Sequence, residues 1–169
     1  MKISKITPEL LTELEQVVPS IDTFMEYRPC KVVLKNGEVH DRAYVVEAEQ
    51  YKKMWGVLPD QDPDKKYILI ENVARIQECP FRLPPKFANK MYQSGESGMG
   101  YCIYILVLKD GSRLPFLTGN AVDFPNLEPG ISMDSVVDLL PHEGRKNFIQ
   151  NNFNPYTRSA EYCWCIYTI

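Results

Sequence analysis

Residues 95–120, GESGMGYCIYILVLKDGSRLPFLTGN, carry the clearest fold signal in the chain. A glycine-rich loop leads into an apolar run from Tyr101 to Leu108. Lys109-Asp110-Gly111 then turns the chain into a second run, Arg113 to Leu117. Two β-favouring runs around an Asp-Gly pair predict a tight hairpin, because glycine supplies the positive φ such turns require. An earlier copy lies upstream. There Cys30 to Leu34 is a predicted strand, Lys35-Asn36-Gly37 its turn, and Glu38 to Val46 the returning strand.

The segments around these hairpins follow one order twice. Thr7-Pro8-Glu9 is a helix start, with a capping hydroxyl, proline in the first turn and an early acid. Leu10, Leu11, Leu14, Val17 and Val18 continue at helical spacing to about Val18. After the first hairpin, Lys52 to Lys66 reads as a polar loop interrupted by Met54-Trp55. Tyr67 to Glu71 and Val73 to Ile76 read as short strands. Pro80 to Pro85 reads as an extended linker, since proline disfavours helix in the residue before it. Pro85, Phe87, Ala88 and Met91 then repeat Pro8, Leu10, Leu11 and Leu14 at an offset of 77 residues. Leu108 to Gly111 repeats Leu34 to Gly37 at 74, and Met133 to Val136 repeats Ile70 to Val73 at 63. The shrinking offset puts about eleven extra residues in the first copy, around Met54-Trp55.

A short helix, a hairpin with a turn glycine and a late short strand resemble the Sm-like and SH3-like small barrels. The resemblance implies a β-rich α+β fold of two related barrels, each led by a short helix and packed together with a C-terminal strand. The expected divisions are 1–78 for the first repeat, 79–85 for a linker, 86–145 for the second repeat and 146–169 for an extension with the closing strand. Ile103, Ile105 and Val107 make the second hairpin's first strand apolar on both faces, and Tyr162 to Tyr167 is similar. Something must cover such strands: the other half, the tail strand sealing the seam, or a second copy of the chain.

The bulk chemistry narrows the partners. The 169 residues are 44% hydrophobic and 24% charged, in the range of folded domains, with net charge -3 and pI near 5.5. Phosphate-rich partners favour basic surfaces, so nucleic acid is disfavoured. No run reaches the length of a membrane span, and the expectation is a cytoplasmic protein without membrane contact. Five cysteines, an odd number set mostly in apolar runs, read as packed free thiols.

Several clusters are candidate sites. Gly95, Gly98 and Gly100 depart from the dinucleotide glycine order and feed a strand rather than a helix, so no cofactor is expected. Glu96 and Ser97 held between glycines instead suggest a shaped or partner-bound loop. Ser97, Asp123 or Asp134, and His142 follow the chain order of hydrolase triads, although Gly-Glu-Ser-Gly-Met lacks the second glycine of a nucleophile elbow. Pro141-His142-Glu143-Gly144-Arg145 could supply acid–base chemistry or bind an anion, or simply start a helix. Asp60, Asp62, Asp64 and Glu71 have calcium-loop spacing, but Lys65 occupies the glycine position. Cys163 and Cys165 lack a second ligand pair at zinc spacing, so no metal is expected. Arg75, Arg82, Lys86 and Lys90 with Tyr92 could contact RNA or form a solvated helix face. Met54 and Trp55 are either a packing anchor or an exposed hot spot.

The combined reading is a non-enzymatic binding protein for a protein or peptide partner. Its surface would comprise Met54, Trp55, Gly95, Glu96, Ser97, Gly98, His142 and Arg145, with self-association through the C-terminal strand a further possibility. The competing classes are a small hydrolase or metal-assisted enzyme using Ser97, His142 and Glu143, and an RNA-binding barrel.

Overall fold

A computed structural model describes residues 3–148 and 154–169. The elements in order are α1 (Pro8–Gln16), β1 (Ser20–Asp22), β2 (Met25–Leu34), β3 (Val39–Glu47), α2 (Ala48–Trp55), β4 (Tyr67–Leu69), β5 (Val73–Gln77), α3 (Pro85–Ser94), β6 (Cys102–Leu108), β7 (Arg113–Thr118), β8 (Val136–Pro141) and β9 (Cys163–Tyr167). The fold is therefore α+β, with strands in two sheets. No closed barrel is found among the described residues. The chain divides into two units, Met1–Pro80 with Tyr162–Ile169, and Phe81–Glu161.

In the first unit β2 pairs with β3 on one edge and with β1 and β5 on the other, all antiparallel. The tail strand β9 runs parallel between β3 and β4, with Tyr44 opposite Trp164 and Tyr67 opposite Trp164 on the other side. Both of its edges are taken, which removes it as the edge for joining a second copy. Alternation along the strands then builds two cores. One holds Cys30, Val32, Ala43, Val45, Ile68, Cys163 and Cys165 with Leu10, Leu14 and Val17 of and just after α1. Thr7 Oγ1 accepts the Leu10 N–H, fixing where α1 begins.

The other core is aromatic and centres on Trp164, which is 2% exposed. Its ring stacks on Tyr44 at 4.9 Å and meets Tyr51 edge-on at 5.1 Å; Tyr27, Trp55 and Tyr162 complete the group. Tyr51 and Trp55 come from α2, which forms where a polar loop was expected. Glu47 caps it by accepting the Glu49 and Gln50 N–H groups, and Gly56 ends it in the left-handed conformation at φ 77°. Ala48, Tyr51 and Trp55 lie on one helix face, so the helix is held by this aromatic burial despite its polar remainder.

In the second unit β6 is central, antiparallel to β7 and β8. Tyr104 stacks on Phe116 at 5.5 Å, and Phe87, Ala88 and Met91 of α3 are buried. The opposite face of β6 is covered by the chain just after β8: a Cβ added at Gly144 would stand 3.2 Å from Ile105 and 3.3 Å from Pro115. The stretch read as a linker is packed, with Cys79, Arg82 and Leu83 buried. Arg82 lies 3.6 Å from fully buried Asp123, which also accepts the Tyr92 hydroxyl at 2.6 Å. That hydroxyl in turn accepts the Val122 N–H.

The same backbone bonds recur in both units. Leu34 N–H donates to Glu38 O at 2.8 Å, and Leu108 N–H to Ser112 O at 2.9 Å. Gly37 and Gly111 stand at φ 89° and 86°, each donating to the leucine three residues back. Lys35 N–H meets Asn72 O and Lys109 N–H meets Ser135 O, both at 2.8 Å. Register breaks just before the Leu34–Val73 pair and again just before Leu108–Val136.

Trp164→Ala should lower the stability of the first unit by about 3–5 kcal/mol, the usual cost of truncating a buried tryptophan. Thermal unfolding followed by Trp55 fluorescence reads this directly; a loss below about 1 kcal/mol would refute the central role of the ring.

Candidate functional site

Between α3 and β6 the loop of Gly95 to Gly100 is held by side chains at nearly every step. Gly95 and Gly100 take φ of 76° and 77°, which glycine tolerates without strain. Ser97 N–H donates to Tyr101 O at 2.9 Å and Tyr101 N–H to Gly98 O at 3.2 Å, making a tight turn. The Glu96 carboxylate spans this turn, accepting Gly100 N–H at 3.0 Å and the Asn120 amide at 2.8 Å. Gly98 lies under the Tyr101 ring, so closely that an added Cβ would fall 2.3 Å from ring carbons.

The second support comes from the end of β8. His142 takes φ 65°, a left-handed bend that is uncommon away from glycine. Its backbone N–H donates to Ile103 O at 2.7 Å, and its ring turns toward the loop. Ser97 Oγ lies 2.9 Å from His142 Nδ1, accepts the Ile103 N–H at 2.8 Å and stands 3.3 Å from Ile103 O. His142 Nε2 is 3.0 Å from Ser94 O. A carbonyl only accepts, so in the neutral imidazole Nε2 carries the proton and Nδ1 accepts from the serine hydroxyl. Arg145 completes the frame, donating from Nη2 to Ser97 O at 2.9 Å and from Nη1 to the Tyr101 hydroxyl at 3.2 Å.

Of the sequence candidates, Gly95, Glu96, Ser97, Gly98, His142 and Arg145 thus come together in one frame. Glu143 points elsewhere, into an exposed ion pair with Arg113 at 2.8 Å. The atom orienting His142 is the Ser94 carbonyl rather than a carboxylate. Asp123 is fully buried with Arg82 and Tyr92, and Asp134 is exposed at the start of the 3-10 turn before β8. Met54 and Trp55 lie in the first unit, both half-buried, and Trp55 is committed to the aromatic group with Lys65 above its ring at 5.1 Å.

The remaining candidates have contacts of their own. Arg75 pairs with Glu13 at 2.5 Å, Lys90 with Asp138 at 2.8 Å, and Lys86 lies over Phe87. Arg82 and Tyr92 are buried, whereas Arg75, Lys86 and Lys90 are exposed. Among the described residues no group of three or more His, Cys, Asp or Glu side chains is placed to hold a metal. All five cysteines are free and buried. Burial pushes the Cys163 thiol up to about 12 and raises Cys165 as well, so both stay protonated at neutral pH.

Sequence reasoning missed Tyr101, Asn120 and Ser94 as parts of the frame, and missed Met99. Met99 is 98% exposed at the tip of the loop. Its signal was present as a large apolar residue between two glycines in a polar stretch. The chain matches no protein-family model, and no curated protein or solved structure matches it either. What fold and site define is a class: a two-unit α+β protein with a braced glycine loop. No helix among the described residues is long and apolar enough to cross a membrane.

Gly98→Ala should displace the Tyr101 ring and break its bond to Arg145. The expected loss is about 1–3 kcal/mol, with faster amide exchange at Ser97 and Tyr101. Unchanged melting and unchanged exchange would show that the loop does not depend on this contact.

Proposed function

We propose that the chain is a non-enzymatic binding protein that docks a protein or peptide on the Gly95–Gly100 loop, with Met99 as the central contact. The supporting observation is a thioether side chain 98% exposed on a loop braced by Glu96, Ser97, His142 and Arg145. Bracing matters because a loop already ordered loses little conformational freedom on binding. Methionine suits the role, since its unbranched chain and polarizable sulfur adapt to irregular apolar pockets. Trp55 joins the aromatic group of the first unit, so the proposal centres on the glycine loop rather than on Met54 and Trp55.

The recurring bonds at Gly37 and Gly111, and the matched register breaks, support a further reading: the two units are tandem copies of one helix-and-three-strand element of Sm-like or SH3-like kind. The eleven-residue surplus of the first copy falls in the segment holding α2 and β4. Free, buried thiols and the acidic balance support a cytoplasmic protein without nucleic acid as its partner.

Met99→Glu should leave melting unchanged within about 0.5 kcal/mol, as for an exposed surface position, while proteins captured from a lysate by the wild type are lost. Identical captured sets for the two proteins would remove Met99 from the docking surface.

One observation favours a second reading. Ser97 Oγ and His142 Nδ1 are within hydrogen-bond reach, as a nucleophile and its base must be. The bracing role accounts for the same distance, because the hydroxyl also accepts the Ile103 N–H and so ties the loop to β6. Ser97→Ala separates the two. As a brace its loss leaves the part-buried Ile103 N–H without an acceptor, a cost of about 1–3 kcal/mol. A fluorophosphonate probe should leave Ser97 unlabelled; a stoichiometric mass gain at Ser97 would establish the hydrolase instead.

A further inference from the structure

We propose that Met99 is a selective oxidation site, where peroxide converts an apolar docking contact into a polar one without disturbing the fold. The chain has six methionines. Met25, Met91 and Met133 are buried at 1%, 0% and 8% exposure, and Met54 is half-buried on α2. Met99 alone among these four and itself is open, at 98%. Its neighbours Gly98 and Gly100 have no side chains to shield it. The brace from Glu96 to Gly100 N–H and from Arg145 to Ser97 O keeps the loop from folding the sulfur inward.

The chemistry needs hydrogen peroxide as oxidant and nothing from the protein beyond access. The thioether sulfur attacks one peroxide oxygen, an S–O bond forms as the O–O bond breaks, and the proton on the transferred oxygen moves to the departing hydroxide. The products are a sulfoxide and water, with sulfur oxidised by two electrons and peroxide reduced by two. The sulfoxide is polar and chiral, which disrupts an apolar contact at an interface. No core packing involves Met99, so nothing in the fold opposes the change. The consequence for binding rests on the docking role proposed above.

The full-length chain would be treated with hydrogen peroxide and mapped by peptide mass spectrometry over time. Met99 should gain one oxygen at least about tenfold faster than Met25, Met91 and Met133, with the melting temperature unchanged once Met99 is fully converted. Equal rates at the buried positions, or melting that falls in step with Met99 conversion, would overturn the proposal. Capture from a lysate should then be lost on oxidation and return after the two epimer-specific, thiol-driven methionine sulfoxide reductases together restore the thioether. If Met99→Glu itself leaves capture intact, the docking role fails while the mass map still decides the oxidation site. If Met99→Glu abolishes capture and the sulfoxide does not, the switch fails alone.

Discussion

The first unit depends on the parallel insertion of β9 between β3 and β4. Without it Tyr44, Val45 and Val46 would line an open edge, β4 would have no neighbour, and the aromatic group would lose Trp164 at its centre. A row of unpaired backbone groups beside apolar side chains is an aggregation hazard, and insertion removes it. The constraint reaches far along the chain, because Tyr44 must wait for Trp164. Contacts of such sequence separation are slow to form, since the intervening loop must close first. The second unit lies wholly within that intervening segment and has its own core around Tyr104, Leu106 and Phe116, so its folding need not await the tail.

Buried polarity in the second unit follows a different logic. Arg82 and Asp123 are both almost fully enclosed, and such a pair gains stability over apolar residues only with additional hydrogen bonds. The Tyr92 hydroxyl supplies one by donating to Asp123 Oδ2 while accepting the Val122 N–H, and Leu83 N–H donates to Asp123 O. These bonds tie the segment before α3 and the last turn of α3 to the chain after β7, and α3 ends at Ser94, whose carbonyl orients His142.

Much of this was legible in residues, and the misses have physical causes. Asp110-Gly111 and Asn36-Gly37 announced both hairpins because turn chemistry is local and glycine at positive φ leaves few alternatives. Thr7-Pro8 announced α1 for the same reason. The helix α2 was missed because its sequence is polar. Ala48, Tyr51 and Trp55 do recur on one helix face, and Gly56 is a C-terminal stop, but the burial that holds the helix comes from Trp164 more than a hundred residues away. Arg82 read as a solvated cation because nothing nearby in sequence names Asp123 as its partner. Ser97 and His142 were both singled out, on chain order. The Ser94 carbonyl on the far side of the imidazole was invisible, since a backbone atom has no sequence signature.

One problem, a strand apolar on both faces, is solved in two ways, and the second solution shapes the candidate site. In the first unit the face bearing Trp164 is covered by a helix, α2. In the second unit the face bearing Ile105 is covered by the turn after β8, where Gly144 sits too close to Ile105 and Pro115 for a side chain to be added freely. To reach that face the chain must bend sharply as β8 ends, and His142 takes the bend at φ 65°. The bend places the imidazole between Ser94 O and Ser97 Oγ, and three residues later it brings Arg145 onto Ser97 O. Rigidity at the glycine loop therefore follows from covering β6. A packing requirement thus accounts for a serine and histidine 2.9 Å apart without invoking catalysis.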